Sequence, residues 1–582
     1  MSKSFIISST NLPNDYGLNL IVNSEKFRLY ANDDVFEKNG DIYIYIEGYF
    51  MPRNEWIDRF SSLTGNSLIY ELFLTFGPKF INKIKGFFTI AIITKENFYV
   101  FNDIHSVKRF FISVNNRSFF VSNNIAFLKA ITGNSIDPLF AAHHALFQHF
   151  IFGQTIFKNI QYSEFASKVF LNHGRLIIDK YWRTDSLESL NRDLSIKEFI
   201  FLFNQTIKNY IQYFKPKRVA ATITGGRDTR SVVASLIANE VSPHLFTFGN
   251  PQNRDVIVGK LISKSCNLSF SNPNISNPEM EYYGKLVNRI INLGDTFVHL
   301  HRAHRLDAIE KEVEEFSHDM IFVGAMGGDY IKGTSFDDYI VSEYVRENFF
   351  NKENEMLVLM KRILEKHFVK NDKNLLNSLY DSLIRIPLIS NREFNSSTDL
   401  HIAHDIIGCS HDIQDIKVFS KYIDKVITPF MDIDIMEALF RTKFSLLSNS
   451  KNSKGLFTKY LGGELQANLV TDLCPALARV PYASYYKPAD VSGSKPKYII
   501  NRGIAYIKQK KHPNISGFEY GKWFINYIEK ELQESRNGRM SKYYDFDKML
   551  ISYRMDKHLT HEGYWHKYTN AIMFSKYINI LI

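Results

Sequence analysis

Thr224, Gly225, Gly226, Arg227, Asp228 and Thr229 form a polar corner between two apolar segments of a 582-residue chain. Val219–Ile223 before it has the length and composition of a strand. Val232, Val233, Leu236 and Ile237 after it recur at helical spacing. A strand that feeds a helix through two glycines leaves backbone N–H groups unpaired at the helix start. Those donors, the helix dipole and the hydroxyls of Thr224 and Thr229 make a seat for an anion. Asp228 beside an anion makes sense where it holds Mg²⁺, which neutralises both charges. The plain alternative is an ordinary strand–helix turn whose glycines serve backbone geometry alone. The spacing is not that of a Walker A loop, which needs a Gly-Lys-Ser/Thr ending.

A second constellation lies in Met320–Thr334, where an apolar strand over Met320–Val323 runs into a glycine-dense loop ending at Asp329. Its plain alternative is a glycine turn that opens a helix. Between the two constellations, His244–Gly249 and Asn267–Ser271 read as strands and Asp255–Ser265 as a helix. Ile196–Phe214 before them reads as a helix, with Phe199, Phe203 and Ile207 on one face. Alternating strands and helices predict a parallel, doubly wound sheet with its site beyond the carboxyl ends of the strands.

Residues 1 to about 185 are strand-rich. Asp41–Tyr49 alternates polar and apolar residues, and Phe87–Thr94, Asn97–Asn102 and Ser118–Ser122 follow with short polar breaks. Ser67–Thr75 reads as a helix. This order predicts packed sheets with a few helices, the α+β class. Asp185–Ser195 is polar and reads as a linker, and the residues beyond about 510 are helical in pattern with no chemistry apparent.

Composition sets limits. Hydrophobic content of 45% and charged content of 23% are those of a globular chain long enough for more than one core. The net charge of +10 is dispersed and carries no nucleic-acid signature, so no nucleic-acid partner is expected. Cys266, Cys409 and Cys474 form no CxxC pair, which favours a reducing, cytoplasmic setting. No signal-peptide core opens the chain, and no apolar run approaches the ~18 residues of a span, so no membrane partner is expected either. His401, His404, Cys409 and His411 match no zinc spacing. His299, His301 and His304 read as structural or substrate-lining.

Six residues, Thr224–Thr229, resemble the Ser-Gly-Gly-x-Asp-Ser pyrophosphate loop of the asparagine synthetase family and its ATP-pyrophosphatase (PP-loop) relatives, with threonine for both serines. Four more segments resemble that family in the same order. Phe76–Thr94 with Asp103–Ser113 is similar to its glutaminase domain, with Gly86, Asp103 and Lys108 at matching places. Gly153–Ile160, Gly174 and Tyr181-Trp182 resemble the run that closes that domain. Met320–Thr334 resembles its Ser-Gly-Glu-Gly-x-Asp-Glu loop. Thr428–Phe440 and Ser453–Leu461 resemble its helical segments, with Pro429, Phe430 and Asp432 aligned.

The resemblance implies an α+β, Ntn-hydrolase-like layered sheet domain over 1–185. Over 196–582 it implies a doubly wound parallel α/β ATP-pyrophosphatase domain with a helical C-terminal part. It further implies an ATP-dependent amide ligase that adenylates a carboxylate, releases pyrophosphate and transfers ammonia or an amine, displacing AMP. ATP and Mg²⁺ are the implied cofactors. Asp228 and Asp329 would share the metal, and Thr224, Gly225, Gly226, Arg227, Asp228, Thr229, Phe248, Gly327 and Gly328 would line the nucleotide site. The carboxylate would be a small molecule, a peptide or a glycan, with a homodimer among the assemblies open to the protein.

Departures from the family pattern matter as much. Ser2 stands where its glutaminases carry cysteine, and a hydroxyl needs far stronger activation than a thiol, so the first domain reads as glutaminase-inactive. Met326 stands at a glutamate position and Ala325 at a glycine position. Pro481 stands where the family places a catalytic lysine, leaving Lys487, Arg227 or Arg230 to meet the α-phosphate charge; Lys487 is assigned catalysis and Arg227 nucleotide binding. An intramolecular cyclase of the β-lactam or lasso-peptide type, or a catalytically degenerate binding protein, are the alternatives.

Overall fold

The computed structural model describes residues 4–14, 16–32, 34–115, 118–133, 135–147, 150, 152–273, 279–293, 300, 303–332, 353–384, 404, 411–445, 456–493, 495–512, 514, 522–556 and 562–581. Ser2, His299, His301, His401, Cys409 and Ser453–Gly455 lie outside them.

The first part of the chain supplies twelve described strands. They are β1 (Phe5–Ser8), β2 (Asn19–Asn23), β3 (Arg28–Ala31), β4 (Glu37–Asn39), β5 (Ile42–Pro52), β6 (Ile84–Ile93), β7 (Phe98–Asn102), β8 (Phe111–Val114), β9 (Phe119–Ser122), β10 (Gln161–Tyr162), β11 (Ser167–Asn172) and β12 (Arg175–Lys180). They pair into two antiparallel sheets, β10-β8-β9-β1-β3-β2 and β12-β11-β7-β6-β5-β4. Successive side chains point to opposite faces, so near-continuous buried runs such as β1, β6 and β9 give each sheet two apolar faces. Phe5, Ile7, Leu29 and Val121 of the first sheet meet Tyr45, Ala91, Ile93 and Val100 of the second in one buried cluster. The outer face of the second sheet, through Ile44, Ile90 and Ile92, takes Leu68, Ile69 and Leu72 of the helix Gly65–Phe76. The outer face of the first sheet, through Ile6 and Phe120, takes Ile125 and Leu128 of the helix Ile125–Thr132. The result is four layers, helix–sheet–sheet–helix.

Gly86 has a physical requirement here. It sits opposite Phe50 with φ +137°, and a Cβ would fall 2.3 Å from the Tyr49 carbonyl oxygen.

The expected linker is docked rather than free. Asp185–Glu188 forms one helical turn with Leu187 buried, and the Leu194 N–H donates to the Arg441 carbonyl. A capping box then starts the helix Ile196–Phe214, in which Ser195 Oγ and Glu198 exchange bonds with each other's backbone N–H.

The third sheet is wholly parallel, in the order β15-β14-β13-β16-β17. Its strands are β13 (Val219–Thr222), β14 (His244–Phe246), β15 (Phe270–Ser271), β16 (Met320–Phe322) and β17 (Val426–Ile427). The chain starts at the centre, winds out through β14 and β15, then crosses to β16 and β17 on the other side of β13. Each strand is shorter than its apolar run because the residues after it turn out of the ladder into the site loops. Thus the chemical fold is mixed α/β, with a parallel sheet behind layered antiparallel ones. No helix is long and apolar enough to cross a membrane among the described residues.

The two parts meet across buried charge. Lys85 of β6, 3% exposed, lies 2.9 Å from Asp432 and 2.8 Å from Asp434 at the start of the helix Ile433–Phe440. Arg53 adds bonds to Asp434 and Glu437, and the Tyr210 hydroxyl donates to Asp432 at 2.8 Å.

Candidate functional site

The order of the parallel sheet places its switch point between β13 and β16, whose register pairs Ala221 with Phe322. The loops leaving these two strands diverge there, which opens a crevice at their carboxyl ends. One loop is Ile223–Arg227 and the other is Val323–Met326. They touch so closely that a Cβ on Gly324 would fall 2.2 Å from Thr229 Cα and 2.3 Å from Thr229 N.

Inside the first loop the hydroxyls order the backbone. Thr229 Oγ accepts from the Thr224 N–H at 3.1 Å and lies 3.1 Å from Thr224 Oγ, which accepts from the Gly226 N–H. The Gly225 N–H donates to Asp255 Oδ1 at 2.8 Å, tying the loop to the start of the helix Arg254–Cys266. Asp228 opens the helix Asp228–Ala238. Its Oδ2 accepts from the Gly328 N–H at 3.0 Å and its Oδ1 from Gln466 Nε2. Asp329, buried at 7% exposure, follows Gly328 in the helix Gly327–Lys332. A Cβ on Gly327 would fall 2.9 Å from the Asp228 carboxylate, so the two acidic residues are carried on elements in direct contact. Carboxylates are hard donors of the kind Mg²⁺ prefers, although Thr224 and Thr229 line the cavity described next and Asp228 and Asp329 do not.

A cavity of about 470 Å³ opens beyond the strand ends. That is within the range of about 300–1,000 Å³ usual for small-molecule sites. Thr222, Ile223, Thr224 and Thr229 form one wall, Phe246–Gly249 a second, and Val323, Gly324 and Ala325 a third. Phe248 stacks on Phe419 with centroids 6.0 Å apart, giving the cavity a flat aromatic side. His304, Arg305 and Asp415 line the far end, where Arg305 and Asp415 form an ion pair.

The chain matches no family model and no curated protein. Three solved structures are similar over part of it. The allosteric regulatory enzyme of purine biosynthesis is 10% identical over 55% of this chain and 68% of its own, with a TM-score of 0.20. NMN synthetase from Francisella tularensis is 11% identical over 45% of this chain and 95% of its own, with a TM-score of 0.19. Glutamine phosphoribosylpyrophosphate amidotransferase from B. subtilis, complexed with ADP and GMP, is 9% identical over 58% and 72%, with a TM-score of 0.19. The fold rests on the strand order described above.

The structure separates the basic residues that the sequence grouped. The Arg227 guanidinium donates to the Tyr486 hydroxyl and stands over the Tyr482 and Tyr486 rings, away from the cavity wall. Arg230 is fully buried and donates to the carbonyls of Val480 and Pro481. Burial pushes its guanidinium down to about 10. Both arginines therefore hold the segment 480–486 against the helix Asp228–Ala238. Lys487 ends that segment exposed, its backbone N–H donating to Asp490, and is not among the cavity-lining residues. Arg305, Asp415, Asn253, Asp255 and Phe419 line the cavity instead, and sequence reading missed them. They come from three helices, Asn253 and Asp255 at the start of one, Arg305 on a second, and Asp415 and Phe419 one turn apart on a third, with no shared motif.

Met326 is buried at 1% exposure and adopts φ +67°, a region that favours glycine. Met326 thus presents an apolar side chain from a strained backbone position beside the loop Thr224–Thr229.

Two histidine groups are structural. His105 and His404 donate through Nε2 to the carbonyls of Met431 and Ile104, at 2.6 and 2.5 Å. That leaves both Nδ1 atoms facing the single hydroxyl proton of Tyr330, the neighbour of Asp329, at 3.4 and 3.1 Å, with His404 the nearer acceptor. Through this relay the loop of Asp103, whose carboxylate accepts from three N–H groups of residues 105–108, touches the helix of Asp329. Elsewhere, His244 and His318 lie 3.1 and 3.0 Å from Glu312 Oε1, and Ser271 donates to Oε2. Burial opposes the Glu312 charge, but these hydrogen bonds outweigh it and hold the carboxyl at about 2. His244, Glu312 and His318 could hold a metal ion by proximity; they are joined by hydrogen bonds through Glu312, and His318 Nδ1 is buried without a partner among the described residues.

Proposed function

We propose that the protein is an ATP-dependent amide ligase, asparagine synthetase-like, that forms AMP and pyrophosphate. The observation that carries this reading is the loop Thr224–Thr229 at the switch point of a parallel sheet, joined to the Asp329 helix by Asp228. Backbone N–H groups and threonine hydroxyls at that place suit the pyrophosphate of ATP. The stacked pair Phe248 and Phe419 suits a planar base at the other end. Mg²⁺ held by Asp228 and Asp329 would neutralise phosphate charge as it develops.

The chain's own residues then divide the work. Thr224 and Thr229 orient phosphate oxygens through hydroxyls already fixed in the loop. Arg305, held by Asp415, meets negative charge on the carboxylate or the α-phosphate. The segment 480–487, fastened by Arg227 and Arg230, covers the outer side of the loop and limits the approach of water to an adenylate. The acceptor is ammonia or an amine, and the carboxylate belongs to a small molecule, a peptide or a glycan.

Buried Met326 favours a second reading, in which the site binds nucleotide without turnover. One experiment separates them: pyrophosphate release from Mg·ATP across a panel of carboxylates, with and without amines. Carboxylate-dependent release is expected, and it should be lost in Asp228→Asn and Asp329→Asn while circular dichroism and melting stay unchanged. Tight nucleotide binding with no release from any carboxylate would establish the second reading.

A further inference from the structure

The helix Lys495–Lys511 has two apolar faces where a surface helix needs one. Its inner face is satisfied. Tyr498 and Ala505 are buried in a cluster with Tyr482, Tyr486 and Val491, and Arg502 lies over the Tyr486 ring at 4.7 Å. The outer face carries Ile499, Ile500, Ile504, Tyr506 and Ile507, each between 48% and 63% exposed. At about 100° per residue these five fall within an arc of about 160°. Lys497 and Lys508 flank the arc beyond Ile504, and Lys510 and Lys511 fall inside it at the C-terminal end of the helix. The helix holds six basic residues, Lys495, Lys497, Arg502, Lys508, Lys510 and Lys511, and no acidic one.

We propose that this face lies on an anionic membrane surface. An exposed apolar stripe edged by lysines, with no counter-charge, is the composition of a helix that rests in the interface plane. The charge decides among occupants. A second copy would bring six positive charges against six, which opposes a two-fold contact. A nucleic acid would use the lysines and leave four isoleucines with no role. The proposal departs from the expectation of no membrane partner, which concerned spanning segments; a surface helix needs no span. Beyond the helix end, Asn514 lines the cavity and accepts from the Arg254 N–H at 3.0 Å.

The test is co-sedimentation of the full chain with vesicles of phosphatidylcholine alone and of phosphatidylcholine with phosphatidylserine. Binding is expected only with the anionic lipid, and it should weaken as salt rises. Ile500→Ser with Ile507→Ser, and separately Lys497→Gln with Lys508→Gln, should each weaken it about tenfold or more. Both pairs are exposed, so melting should not change, and the nucleotide site is untouched by either. Failure of the wild-type chain to bind anionic vesicles would overturn the proposal. So would unchanged binding by the isoleucine variant, or a stripe occupied by a second copy or an acidic protein in solution.

Discussion

Asp228 accepts a hydrogen bond from the backbone N–H of Gly328, 3.0 Å away and 100 residues along the chain. That bond makes one site of two loops on neighbouring strands. It exists because Gly324 and Gly327, with no side chain, let the second loop settle against the first.

The tightness of that contact gives a first prediction. In Gly324→Ala the added methyl meets backbone atoms of Thr229, which have no rotamer to relax, so the loops must part. A loss of about 1–3 kcal/mol is expected, together with loss of nucleotide binding. Gly226→Ala is the control, since its Cβ would meet only Thr224 Oγ at 3.1 Å. Thermal melting and nucleotide titration of both variants check the contrast.

Two cations compete for the charge of the reacting phosphate. Arg305 lines the cavity, whereas Lys487 is exposed at the end of a segment that two arginines fasten. Arg305→Met should therefore lower turnover by about 10²-fold, the scale of losing one charge stabiliser. Lys487→Ala should stay close to wild type. The opposite order in steady-state kinetics would return catalysis to Lys487 and require the segment to move.

Lys85 is the buried centre of the contact between the layered sheets and the C-terminal helices. Burial opposes charge at Asp434, yet Lys85 and Arg53 hold its carboxyl well below the usual range. Lys85→Met leaves Asp432 and Asp434 facing each other without that cation. A loss of about 3–5 kcal/mol is expected, measured by urea unfolding.

Glu312 predicts a specific acid sensitivity. Its folded pKa of about 2 lies below the unfolded value of about 4.3. Its contribution is thus complete above the unfolded value and is lost as pH falls toward 2. Buried His143, lowered to about 4, loses stability earlier, as pH falls from about 6.5. Asp434 contributes over the same range, so Glu312→Gln should make the fall below about pH 4.3 shallower without abolishing it, and leave the slope above it. A fall of unchanged steepness in that variant would remove Glu312 as a cause.

Local pattern made much of this protein legible from its sequence. Period-2 alternation marked β5, apolar runs between polar breaks marked β6 and β7, and the helix Ile196–Phe214 has the bounds its spacing predicts, because a capping box starts it and a left-handed Lys215 ends it where the pattern does. The corner Thr224–Thr229 was legible because its hydroxyls, glycines and acid are consecutive. The tertiary structure alone decided where the basic groups went. Arg227 and Arg230 belong to the segment 480–486 because helix geometry turns them away from the strand ends, toward rings and carbonyls more than 240 residues later. It also decided the cavity wall, where Arg305, Asp415 and Phe419 meet by helix packing. Asp415 and Phe419 share one face of the helix His411–Phe419, but no spacing along a chain encodes their contact with Arg305 on another helix, because sequence periodicity reports which face an element buries and not which element it is buried against.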